Sequence, residues 1–208
     1  SAYARRHGAT INDLIVTAVA RAMTRQVGWQ GKGVLRLVGT VDLRRHLPQG
    51  QTGALCQVSG MYSVYLGKTL EKSYEETLRR VKAIIDKDKA RYFGLGMFLN
   101  MIFMFNPLPY FLFKPGLGAF WRLGLWDGNL PPGLTNLGPV DPVAANFGSP
   151  NLTSAVMTIP ATNPPWFGTG LSGFAGTLTF SAGFYPTAIS AQKVEAFFTL
   201  LDEELPGG

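Results

Sequence analysis

The chain has 208 residues, enough for one large domain or a compact half of a bigger one. Hydrophobic residues make up 46% and charged residues 15%, which excludes a disordered chain and leaves an apolar excess that must face another domain, a subunit, a lipid or a membrane. The net charge of +6 favours anionic partners such as phosphates, CoA, acidic carrier proteins or anionic lipid; no arginine-rich block, zinc-finger or RNA-binding signature occurs, so nucleic acid is not an expected partner.

The first element in chain order is a helix. Thr10 reads as its N-cap with Asp13 at N3, and Ile11, Leu14, Ile15, Ala18, Val19, Ala22 and Met23 follow at helical spacing up to Gly28. Val34 to Leu43 reads as a strand ending at Arg44, Arg45 and His46, and Pro48 to Gly53 as a loop. Leu55 to Leu66 reads as a second strand, with Val58, Tyr62 and Val64 favouring it. Ser73 opens a capping box with Glu76 and a helix to about Ala90; Leu78, Val81 and Ile85 share a face, and Glu75–Arg79 and Glu76–Arg80 are spaced for ion pairs.

The uncharged run from Tyr92 to Phe113 is long enough to span a bilayer, but Gly94, Gly96, Asn100, Asn106, Pro107 and Pro109 argue against a span. A buried or interfacial helix to about Phe105, then an irregular apolar segment, is expected. Leu134 to Val140 is a short segment, Leu152 to Ile159 a strand, and Phe174 to Tyr185 the clearest strand, alternating Leu178, Phe180, Ala182 and Phe184 with polar or small residues. Ser190 caps a last helix with Val194, Phe197, Phe198 and Leu201 inward. The order implies an α/β fold: a two-layer sandwich, one mixed sheet with helices on one face, as a single domain over 1–208.

Cys56 is the single cysteine, so no disulfide framework or cysteine metal site forms within the chain. The sequon at Asn151 then reads as a chance match. The polar, basic start shows no signal-peptide pattern, and a reducing, cytoplasmic setting is expected, with peripheral contact to a membrane left open by the apolar excess.

Local chemistry motifs fail. Gly168-Thr169-Gly170-Leu171-Ser172-Gly173 matches a dinucleotide pattern but follows a loop and leads into a strand, so it reads as a flexible turn. Gly67-Lys68-Thr69 lacks the upstream glycine of a phosphate loop, where Tyr62 stands, and Ser181 lacks a nucleophile elbow, with Thr179 in the glycine position. His7 and His46 are the two histidines and show no metal-ligand spacing.

Four ordered stretches resemble one superfamily. Ala9-Thr10-Ile11-Asn12-Asp13-Leu14-Ile15 is similar to a "vT-hNDhhhA" helix of wax-ester and diacylglycerol synthases, alcohol acetyltransferases and polyketide-associated acyltransferases. Val38-Gly39-Thr40-Val41-Asp42-Leu43-Arg44 resembles their "hPVdLR" strand, Leu134 to Pro139 their "hSNhGp" segment, and Gly176 to Leu205 the closing strand and helix. All belong to the second half of the fold shared by chloramphenicol acetyltransferase and condensation domains. The resemblance covers nearly the whole chain.

The resemblance implies two α/β halves with a tunnel between them. A histidine of a His-His-x-x-x-Asp-Gly motif in the first half acts as general base on an alcohol or amine that attacks a thioester. The chain lacks that motif, so the expectation is the C-terminal half of an acyltransferase, inactive alone, with the N-terminal half or a second copy as partner. Acyl-CoA or acyl-phosphopantetheine would be the substrate, without a resident cofactor or metal. Catalytic residues are expected in the other half; here Asn12, Asp13 and Asn136 would support the site and Arg44 would steer the anionic phosphopantetheine or CoA. Each has a plainer reading: Asn12 and Asp13 as first-turn residues, Asn136 as a turn former, Arg44 as the partner of an acidic neighbour. Segment 97–113 would line an acyl pocket or be plain core. The other reading is a non-catalytic module that binds a hydrophobic ligand or pairs with itself.

Overall fold

The computed structural model describes residues 2–31, 33–48, 58–96, 99, 109–126, 131–143, 148, 152–161 and 166–206. In chain order the elements are α1 (Ala2–Arg6), α2 (Ile11–Gln26), β1 (Leu35–Asp42), a 3-10 turn (Leu43–His46), β2 (Ser59–Gly67), α3 (Tyr74–Lys89), α4 (Tyr110–Trp126), β3 (Gly133–Pro139), β4 (Gly168–Phe174), β5 (Thr177–Gly183) and α5 (Ala191–Glu204). Cys56, Asn151 and most of the 97–113 segment lie outside the described residues, as does the greater part of the helix expected to end near Phe105.

The strands form one mixed sheet in the order β2-β1-β3-β4-β5. Both edge pairs are antiparallel, and the central pairs β1–β3 and β3–β4 are parallel. One face carries Leu37, Tyr62, Val64, Leu66, Leu134 and Leu171, and α2, α3 and α5 pack on it through Ile15, Val19, Val81, Ile85, Phe197 and Leu201. Each such large side chain contributes about 1.5–3 kcal/mol by leaving water.

α2 is the keystone of this layer. Its N-terminus carries the full capping box: Asp13 N–H bonds to Thr10 Oγ1, and Asp13 Oδ2 accepts from Thr10 N–H. Val16 and Ala20 are buried beside the expected stripe, because α2 lies between the sheet and two flanking helices; Ile11, placed on that stripe from its spacing, is 41% exposed. Arg21 fastens the flanks: its Nε lies 2.5 Å from Glu204 of α5, and its Nη1 donates to the Glu71 and Ser73 carbonyls and to Thr77 Oγ1. The ion pairs expected along α3 are replaced: Tyr3 donates to Glu75, and Arg80 pairs with Glu71.

Several expectations are corrected. Gly168 to Gly173 is no turn but the buried strand β4. Its glycines serve close approach: a Cβ on Gly168 would come 2.6 Å from the Trp166 ring, and one on Gly170 2.7 Å from Ile159 Cγ2. The segment Leu152 to Ile159 forms no strand. It runs across the sheet face opposite the helices, held by Met157 N–H on Ser172 Oγ. Phe174 belongs to β4, and the clearest expected strand starts only at Thr177, after a tight turn with Ala175 at φ 47 and Gly176 at φ 83. The stretch after Pro107 holds the helix α4, with Pro115 inside it.

Candidate functional site

β1 and β3 run side by side for only two residue pairs, Val38 with Gly133 and Gly39 with Leu134. Beyond them β3 continues along β4 to Pro139, while β1 leads into the 3-10 turn. Two parallel strands that part at their carboxyl ends open a crevice at the position where α/β sheets bind ligands.

A chain of side chains crosses this crevice. Asn136 of β3 accepts from Gly138 N–H at 2.8 Å through Oδ1. Its Nδ2 donates to Oδ1 of Asn12, in the first turn of α2, at 3.3 Å. Asn12 Nδ2 in turn donates to the Tyr62 hydroxyl on β2 at 3.0 Å. One end of the Asn136 amide thus shapes the bend at Gly138, and the other reaches the first turn of α2. Each link donates to the next, and such aligned chains polarise one another. Tyr62 O–H ends the chain and donates to no described residue.

Tyr62 was invisible as a site residue from sequence. It is 7% exposed, and its ring lies directly on β1, where a Cβ on Gly39 would sit 2.3 Å from Cζ. A tyrosine in a strand facing a glycine in its neighbour is the signal that finds such a pair. The Phe93 ring tilts against Tyr62 with centroids 4.7 Å apart. Burial is the largest influence on the Tyr62 hydroxyl and raises its pKa, aided by the nearby Asp13 carboxylate and opposed by the Asn12 bond.

The other predicted residues lie around this chain. Asp13 is fully buried; Oδ2 closes the capping box, while Oδ1 has no hydrogen-bond partner among the described residues. Arg44, on the turn after β1, has its Nη1 3.3 Å from Asp42 Oδ1, in a pair open to solvent. His46 Nε2 donates to the Phe93 carbonyl at 3.0 Å, and the Arg45 guanidinium lies 5.4 Å from the Phe93 ring centroid. Two surface hollows of about 590 and 410 Å³ lie elsewhere, one around Tyr3 and Tyr74, the other around Trp29 and Lys68.

Chemically the crevice offers neutral donors and acceptors. It can orient a carbonyl, hydroxyl or amide of a ligand. Neither asparagine can take a proton at neutral pH, and Tyr62 holds its own more tightly than a free phenol. Among the described residues, no cluster of His, Cys, Asp and Glu could hold a metal.

No family model matches the chain, and no curated protein does. Solved structures do. The epimerization domain from the third module of tyrocidine synthetase B superposes with a TM-score of 0.62 at 14% identity, over 98% of this chain and 42% of that one. A trichothecene 15-O-acetyltransferase from Fusarium sporotrichioides gives 0.60 at 13%, over 94% and 40%. Polyketide synthase associated protein 5 from Mycobacterium tuberculosis gives 0.58 at 15%, over 100% and 49%.

The chain thus has the α/β fold of condensation and acyltransferase domains. It spans less than half the length of these structures, which fits the C-terminal half of a condensation-like fold.

Proposed function

We propose that this chain is the C-terminal half of an acyltransferase that moves an acyl group from a CoA or carrier-protein thioester to an alcohol or amine. The carrying observation is the Asn136–Asn12–Tyr62 chain at the parting of β1 and β3, which ends in a buried hydroxyl with its proton to give. In this reading Tyr62 O–H holds the thioester carbonyl or the acceptor oxygen, and Asn12 and Asn136 hold Tyr62. Asp13 fixes the helix turn that carries Asn12. Arg44 exchanges Asp42 for the phosphates of CoA or phosphopantetheine. The base is the histidine of a His-His-x-x-x-Asp-Gly motif on the other half, which supplies the opposite wall; the setting is cytoplasmic.

Thiol release from acyl-CoA tests the reading. The chain alone is expected to show none, and the chain joined to an N-terminal half with the histidine motif is expected to turn over. Clear turnover by the isolated chain sinks it.

A second reading is a non-catalytic module that binds a hydrophobic ligand or pairs with its own copy. The absence of any base in the Asn136–Asn12–Tyr62 chain favours it. Native mass spectrometry showing a strict monomer free of lipid argues against it.

A further inference from the structure

From Tyr92 to Trp126 the sequence holds no acidic residue, and its only charges are Lys114 and Arg122. The end of this stretch is α4, and none of its described residues joins either buried cluster. Every described side chain of α4 is exposed; Tyr110 is 73% exposed, Phe111 71% and Leu123 66%. A helix that is apolar nearly all round does not stay in water uncovered.

Three occupants could cover it: a second copy, another part of a larger fold, or a lipid surface. The charge pattern separates them. Lys114 and Arg122 stand eight residues apart, with Gly118 between them, and so fall on one side of the helix, both cationic. Protein interfaces exclude lysine from their centres. Aromatic residues with a cationic stripe belong at the boundary between headgroups and acyl chains. The 17 residues of α4 rise only about 25 Å, short of the roughly 30 Å hydrocarbon layer, and among the described residues no helix is long and apolar enough to cross a membrane.

We propose that α4 is an interfacial anchor that lies on a bilayer containing anionic lipid, with Leu112 and Leu123 toward the acyl chains and Lys114 and Arg122, with Phe111 between them, at the headgroups. The net charge of +6 adds attraction at longer range.

Co-sedimentation with large vesicles tests this, using pure phosphatidylcholine against phosphatidylcholine with one third phosphatidylglycerol. Binding is expected on the anionic vesicles, weakening with salt. The variant Lys114→Gln/Arg122→Gln should bind about thirtyfold more weakly at an unchanged melting temperature. Leu112→Ser/Leu123→Ser should lose binding to the anionic vesicles. The proposal is overturned if neither vesicle binds, if both variants bind like the parent, or if light scattering shows a dimer that the Leu112→Ser/Leu123→Ser variant abolishes.

Discussion

The side-chain amide of Asn136 donates to Asn12 Oδ1 across 3.3 Å, joining β3 to α2 just where β3 and β1 have parted. The bond ties β3 to the helix layer beyond the last β1–β3 pair. Its deletion therefore has a structural and a functional price. Asn136→Ala and Asn12→Ala should each cost about 1–2 kcal/mol of stability, since each leaves a half-buried amide short of a partner. In urea unfolding the double variant should cost less than the sum of the two, by about 0.5–1 kcal/mol. Strict additivity would show that the two amides do not act together.

Tyr62→Phe keeps the ring on Gly39 and removes only the hydroxyl. Stability should fall by about 1 kcal/mol, from the stranded Asn12 amide. In an enzyme reconstituted with a histidine-bearing half, thioester turnover should fall by about 100-fold, the scale of losing one preorganised donor. An unchanged rate would remove Tyr62 from the site.

The same hydroxyl has a signature at high pH. Tyr62 titrates above its ordinary 10.0 in the folded protein, so its neutral form is favoured there. Stability linked to it is whole below pH 10 and declines as pH rises through the folded value. Tyr74 and Tyr3 shift the same way, mainly by burial, and add to the decline. Urea midpoints measured from pH 9 to 11 should drop for the parent and drop less steeply for Tyr62→Phe.

Gly39→Ala places a methyl group 2.3 Å from the Tyr62 ring carbon Cζ. The ring has little room, with Phe93 on its flank. A loss of about 1–3 kcal/mol is expected. Near-ultraviolet circular dichroism should report a displaced tyrosine while the far-ultraviolet spectrum holds.

Arg21→Ala tests the fastening of the helices. It leaves Glu204, whose side chain is 9% exposed, with Arg25 as its remaining partner, and frees four acceptors on and before α3. A loss of about 1–2 kcal/mol in urea unfolding is expected.

What the sequence disclosed follows the range of the interaction. The Thr10–Asp13 box is settled within three residues and was legible, as were the caps at Ser73 and Ser190. β4 was not, because a glycine kept for a turn and one kept for a neighbouring ring look the same until Trp166 and Ile159 are in place. The stretch 152–159 has a strand's apolar content but spends it on covering a sheet face, which composition cannot distinguish from joining one. Asn12 and Asn136 were legible through the resemblance of their motifs. Tyr62 was not, since its partner lies 50 residues away. Arg44 at a strand end suits a phosphate guide or the mate of an acid equally well in sequence, and the fold places Asp42 beside it.

The brief pairing of β1 with β3 makes the sheet two plates, a hairpin of β1 and β2 and a trio of β3, β4 and β5, seamed by two residue pairs. One buried cluster holds α2 together with residues of both plates. A side-chain tie thus stands where the ladder stops: Asn12 holds β2 through Tyr62 and β3 through Asn136.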